Sequence, residues 1–121
     1  MIEVFIKSVS PFSEYDNVVY SYKVTCLLNS GKEIEVIDEK PFNLTFFLNK
    51  KITIKLGSHF IGQSNDCHNV LEGMIKQKEE DFYFFNDEIL IFLSKETIDS
   101  SKVSINKKGK FCFEELFLKS L

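Results

Sequence analysis

With 121 residues and a formal net charge of -3, the chain is long enough for one self-sufficient core and has no global field that attracts nucleic acid. Phe occurs 13 times, while Ala, Arg and Trp are absent. The missing Ala argues against a helical bundle, and the missing Arg excludes any mechanism built on a bidentate guanidinium.

Val, Ile, Phe, Tyr and Thr supply 41 of the 121 residues, so strands should dominate. Ile2, Val4 and Ile6 alternate with Glu3, Phe5 and Lys7, and Pro11 is expected to end this first strand. Val18, Tyr20, Tyr22, Val24, Cys26 and Leu28 then share one face of a strand spanning about 36 Å, long enough to coil as a barrel strand does. Asn29-Ser30-Gly31 offers a turn into a half-exposed return strand at Ile34 and Val36. After Pro41, alternation at Phe42, Leu44, Phe46 and Leu48 predicts another strand. A turn at Asn49-Lys50-Lys51 leads to a further strand through Ile52, Ile54 and Leu56.

Residues 57–69 read as an irregular loop. The segment 69–80 carries both a capping box, Asn69-x-x-Glu72, and an interior Gly73, and strand is preferred over helix. Phe82–Phe85 and Ile89–Leu93 form a hairpin joined by Asn86-Asp87. Neither run alternates, so both faces are expected to be covered. Val103 and Ile105 read as a short strand, Lys107-Lys108-Gly109 as a turn, and 113–121 fits helix and strand equally. The expectation is a single all-β domain over 1–121, allowing one or two short helices, built as a small antiparallel β-barrel or a β-sandwich. The element order over 18–93 resembles an oligonucleotide-binding-type (OB-like) barrel, which implies a fold and by itself no function.

The longest unbroken aliphatic and aromatic run, Ile89 to Leu93, is too short to span a bilayer. The first residues lack the apolar core of a signal peptide, so a cytoplasmic location is expected. There the three cysteines, Cys26, Cys67 and Cys112, read as reduced thiols.

Phosphate-binding Gly loops and nucleophile elbows are absent from the sequence. The carboxylate pairs Glu33/Glu35, Glu79/Glu80, Asp87/Glu88 and Glu114/Glu115 sit in polar contexts that suit solvated charge rather than acid–base work. No catalytic residue, cofactor or metal is therefore expected, and the chain reads as non-catalytic. A ligand or metal site centred on His59 and Cys67, with Asp66 and His68 nearby, lacks ligand spacing.

Two charged features remain. Between Glu72 and Asp99 the local charge is -5, and Glu79, Glu80, Asp81, Asp87 and Glu88 gather around the late hairpin with Tyr83. That pattern fits a protein partner with a basic surface, as an immunity or inhibitor protein would have, and it is the leading expectation. The alternative is a barrel that binds single-stranded nucleic acid through Lys50, Lys51 and Lys55 together with Lys102, Lys107, Lys108 and Lys110. Phe111, Phe113 and the tyrosines would supply stacking platforms.

Overall fold

The computed structural model describes residues 2–39, 42, 44–62, 69–113 and 115–120. The strands are β1 (Ile2–Tyr15), β2 (Val18–Leu27), β3 (Glu33–Asp38), β4 (Lys51–Ser58), β5 (Val70–Lys78), β6 (Asp81–Phe85), β7 (Leu90–Leu93), β8 (Lys108–Cys112) and β9 (Leu116–Ser120). One helix, α1 (Lys95–Ser101), lies between β7 and β8.

The fold is all-β, and its centre is a closed five-stranded barrel with extra strands attached. β1, β2 and β3 form an antiparallel meander; β3 runs parallel to β9, β9 pairs antiparallel with β4, and β4 closes back onto β1. β4 changes partner along its length. Its first half pairs with β1, and Leu56–Ser58 pair in parallel with β7. From β7 the sheet continues outward through β6 and β5 to β8.

Alternation explains the inside. Val4, Ile6, Val24, Cys26, Ile34, Val36, Ile54 and Leu56 point into the barrel, and Phe84 and Phe113 fill the space beneath the added strands. Phe84 meets Phe113 and Phe111 edge to face, with centroids 4.9 and 5.7 Å apart, the arrangement that aromatic quadrupoles favour.

Gly31 turns the chain between β2 and β3 with φ +90°, as the sequence predicts. The segment 69–80 contributes strand β5 and the C-terminal segment contributes strand β9. Pro11 does not end β1. It lies within the strand opposite Tyr22, beside a slip in register, where a missing N–H is tolerated. β1 and β2 thereby run on to Asp16-Asn17, a two-residue turn with φ of 56° and 67°. Beyond the barrel they make an arm on which Phe12, Tyr15, Val18 and Tyr20 are each more than half exposed.

Other expectations are corrected. The apolar residues around 44–48 form a 3-10 turn at Leu44–Phe47, in which Leu44 is buried and Phe47, three residues on, packs against the core while Phe46 stays exposed. Val103 and Ile105 lie in no strand; they pack on the core from an irregular connection. The helix α1 arises where Ser94 caps Lys-Glu-Thr, its Oγ accepting from the Thr97 N–H at 3.1 Å. Cys112 is disulfide-bonded, so the three cysteines are not all reduced thiols, and Cys26 is a free buried thiol. Among the described residues no helix is long and apolar enough to cross a membrane.

Candidate functional site

The late hairpin is buried on one face only. Phe82 and Phe84 enter the core, while Tyr83 and Phe85 point the other way and remain half-buried. The same alternation leaves Phe92 of β7 and Phe117 of β9 half-buried on that outer side. Covering both faces, the expectation from the unbroken runs, would require a layer that the described residues do not supply.

Strand register brings these rings into line. Phe117 pairs with Gly57, Gly57 with Phe92, Phe92 with Tyr83 and Tyr83 with Lys76, so one row crosses β9, β4, β7, β6 and β5. The next row runs Leu90, Phe85, Met74 and Lys108 across β7, β6, β5 and β8. Residues directly paired in a sheet project to the same face, and neighbouring strands are about 4.8 Å apart. Tyr83 and Phe85 touch, with centroids 6.0 Å apart.

Gly57 is needed where it stands. A Cβ there would lie 2.4 Å from Cζ of Phe117, so the absent side chain is the space that the ring occupies. His59 stacks on Phe117, with ring centroids 4.4 Å apart and planes 13° from parallel. Helix α1 holds this corner. The Thr97 hydroxyl donates to the His59 carbonyl at 3.1 Å, and the Ser101 hydroxyl accepts from the Ile61 N–H at 3.2 Å.

Lysines overlie the rings. Lys119 Nζ is 4.7 Å from the Phe92 centroid, and Lys76 Nζ is 5.5 Å from that of Phe85, both within cation–π range. Between the His59–Phe117 stack and Phe92 lies a cleft of about 310 Å³, whose polar lining includes Asp81, Ser94 and Lys119. This face offers flat π surfaces with ammonium groups beside them. Such a surface suits a planar ligand carrying negative charge.

Among the residues singled out in the sequence, Asp81 and Tyr83 belong to this face. Glu79 and Glu80 stand in the β5–β6 turn, while Asp87 and Glu88 lie at the opposite end of β6. The acids thus form two groups, and Glu88 Oε1 accepts the Ser30 N–H at 2.6 Å. Lys108 and Lys110 are on β8, and Lys107 adjoins it. Lys51 and Lys55 are on β4 next to Lys50, four strand positions away, or roughly 19 Å across the sheet. The two lysine groups therefore do not share one turn cluster.

His59 is exposed in its ring stack, whereas Asp66, Cys67 and His68 lie outside the described residues. Among the described residues no three His, Cys, Asp or Glu side chains are grouped to hold a metal. Burial pushes the Cys26 thiol up to about 12, which leaves it protonated and inert as a nucleophile at neutral pH.

Phe85, Phe92, Phe117, Lys76 and Lys119 were not legible as a site in the sequence. The signal was present as aromatics at the outward positions of strands whose inward positions were already apolar. No protein-family model matches the chain, and no curated protein is significantly similar to it.

Proposed function

We propose that the chain is a non-catalytic binding module that holds single-stranded nucleic acid on the outer aromatic face. The observation that carries this reading is the register row from Phe117 through Phe92 to Tyr83, with Phe85 adjacent and lysines over two of the rings. Each base stacked on such a ring is worth about 1–3 kcal/mol. Every base offers a π face to such a ring, so binding by stacking is tolerant of sequence. The barrel supports the reading: β1 closing on β4 with β3 parallel to β9 resembles the strand arrangement of OB-type barrels, a fold that binds oligonucleotides.

The test is fluorescence anisotropy with labelled oligo(dT) of about 15 nucleotides, a length that covers the known site sizes of such barrels. Saturable binding to the single strand at low salt, with much weaker binding to a duplex of equal length, is the expected result. No binding of the single strand at the highest soluble protein concentration refutes the reading.

A protein partner is favoured by a different observation, the β1–β2 arm. Its exposed Phe12, Tyr15, Val18 and Tyr20 stand beside Glu14 and Asp16 and away from unpaired lysine, since Lys7 and Lys23 bind Glu33 and Glu35. Exposed aromatics of this kind suit an apolar protein surface with a basic rim. Ser in place of Phe12 and Tyr15 should abolish capture of such a partner, and unchanged capture would rule the arm out. For the strand-binding role we assign a cytoplasmic location. The Cys112 disulfide, unusual in a reducing compartment, then persists through burial, the residue being 2% exposed.

A further inference from the structure

Beyond the aromatic rows, β8 forms the outer edge of the sheet, and there the surface changes character. Lys102, Lys107, Lys108 and Lys110 line a cleft of about 420 Å³ together with Phe111 and Gly62, and among the described residues no acidic side chain lines it. Lys102 is itself the left-handed residue that ends α1, with φ 51°, and Lys108 and Lys110 project from alternate positions of β8. All four lysines are exposed, and among the described residues none of them forms an ion pair within 4 Å. Four like charges in one concavity repel one another, and a polyanion relieves that repulsion.

Lys108 stands in the same register row as Phe85, with Met74 between them. Through Lys108 and Lys110 the cleft joins the stacking face two strand spacings, roughly 10 Å, from the β6 rings, and it opens around the sheet edge, with Phe111 lining it from the inner side. Resting on the function proposed above, we propose that this cleft is the phosphate-binding segment of the same site. Bases stack over β9, β7 and β6, and the sugar–phosphate backbone passes over β5 into the lysines of β8. The ligand class is the phosphodiester backbone of single-stranded DNA or RNA. Lysines on an exposed edge strand also discourage edge-to-edge pairing, and that role predicts no effect on ligand binding.

Salt dependence separates the two. Binding of oligo(dT) is measured at several salt concentrations for the native chain, for Lys102→Gln/Lys107→Gln/Lys108→Gln/Lys110→Gln, for the single variants Lys108→Gln and Lys110→Gln, and for Tyr83→Leu. Neutralising one lysine that binds a phosphate lowers the slope of log K against log salt by about 0.7, so the quadruple variant should lose about 2–3 in slope and each single variant about 0.7. Tyr83→Leu should weaken binding with the slope unchanged. If the native chain binds and the lysine variants keep its slope, the lysines are edge protection only and the inference is overturned. If the native chain binds no single strand, the stacking reading itself fails and the backbone path falls with it.

Discussion

Replacing Gly57 by Ala tests the construction of the aromatic row without removing any ring. The new Cβ would sit 2.4, 2.9 and 3.0 Å from Cζ, Cε2 and Cε1 of Phe117, and ordinary contact begins at 3.4 Å. The ring must therefore lift by about 1 Å, which separates it from Gly57 and disturbs its stack with His59. Overpacking of this size costs about 1–3 kcal/mol, and the reduced freedom of the unfolded chain returns about 0.4–1 kcal/mol. Urea denaturation should therefore show a net destabilisation of about 1–2 kcal/mol. The His59 ring protons, shielded by the Phe117 face, should move downfield in the NMR spectrum. Gly73→Ala is the comparison. Its Cβ would meet the Phe85 carbonyl oxygen at 2.5 Å, a backbone atom that cannot swing aside, and the destabilisation should reach about 3 kcal/mol or more. A Gly57→Ala chain of native stability with unmoved His59 resonances would refute the reasoning.

Ser94→Ala removes the α1 cap and should cost about 1 kcal/mol by the same denaturation assay, with increased amide exchange around His59. Asn17→Gly places glycine at φ 67° in the arm turn and should raise the midpoint by the equivalent of a few tenths of a kcal/mol, with no change at the aromatic face. In denaturant without reductant, alkylation and intact mass should count one reactive thiol, rising to three after reduction; Cys26 should resist modification until the chain unfolds. Because burial pushes that thiol from 9.0 to about 12, its contribution to stability is fully present below pH 9 and is lost as pH rises towards 12. Cys26→Ser should remove this component of the alkaline stability loss.

The barrel was readable from the sequence because its strands have one wet and one dry side. Val24 and Cys26, Ile34 and Val36, and Ile54 and Leu56 each announce their inward face by alternation. The arm was not readable, since Pro11 looks like a terminator until the register slip beside it is known. Helix α1 was missed because seven residues with few apolar positions leave little periodicity, and only the Ser94 cap marks it. The aromatic face was hidden for a more specific reason. In Phe82–Phe85 and Ile89–Leu93 a core face and a ligand-facing aromatic face look alike, because both are apolar. Only the pairing register, which brings Phe117 and Lys76 from distant positions into the same row, tells them apart.

The most direct test of the central claim is to map bound oligo(dT) by aromatic carbon–proton NMR. The rings of Tyr83, Phe85, Phe92 and Phe117 should shift together and saturate with the anisotropy curve, while Phe12, Tyr15 and Tyr20 on the arm stay in place. Shifts confined to the arm, or none at the outer row while the strand is bound, would contradict the account.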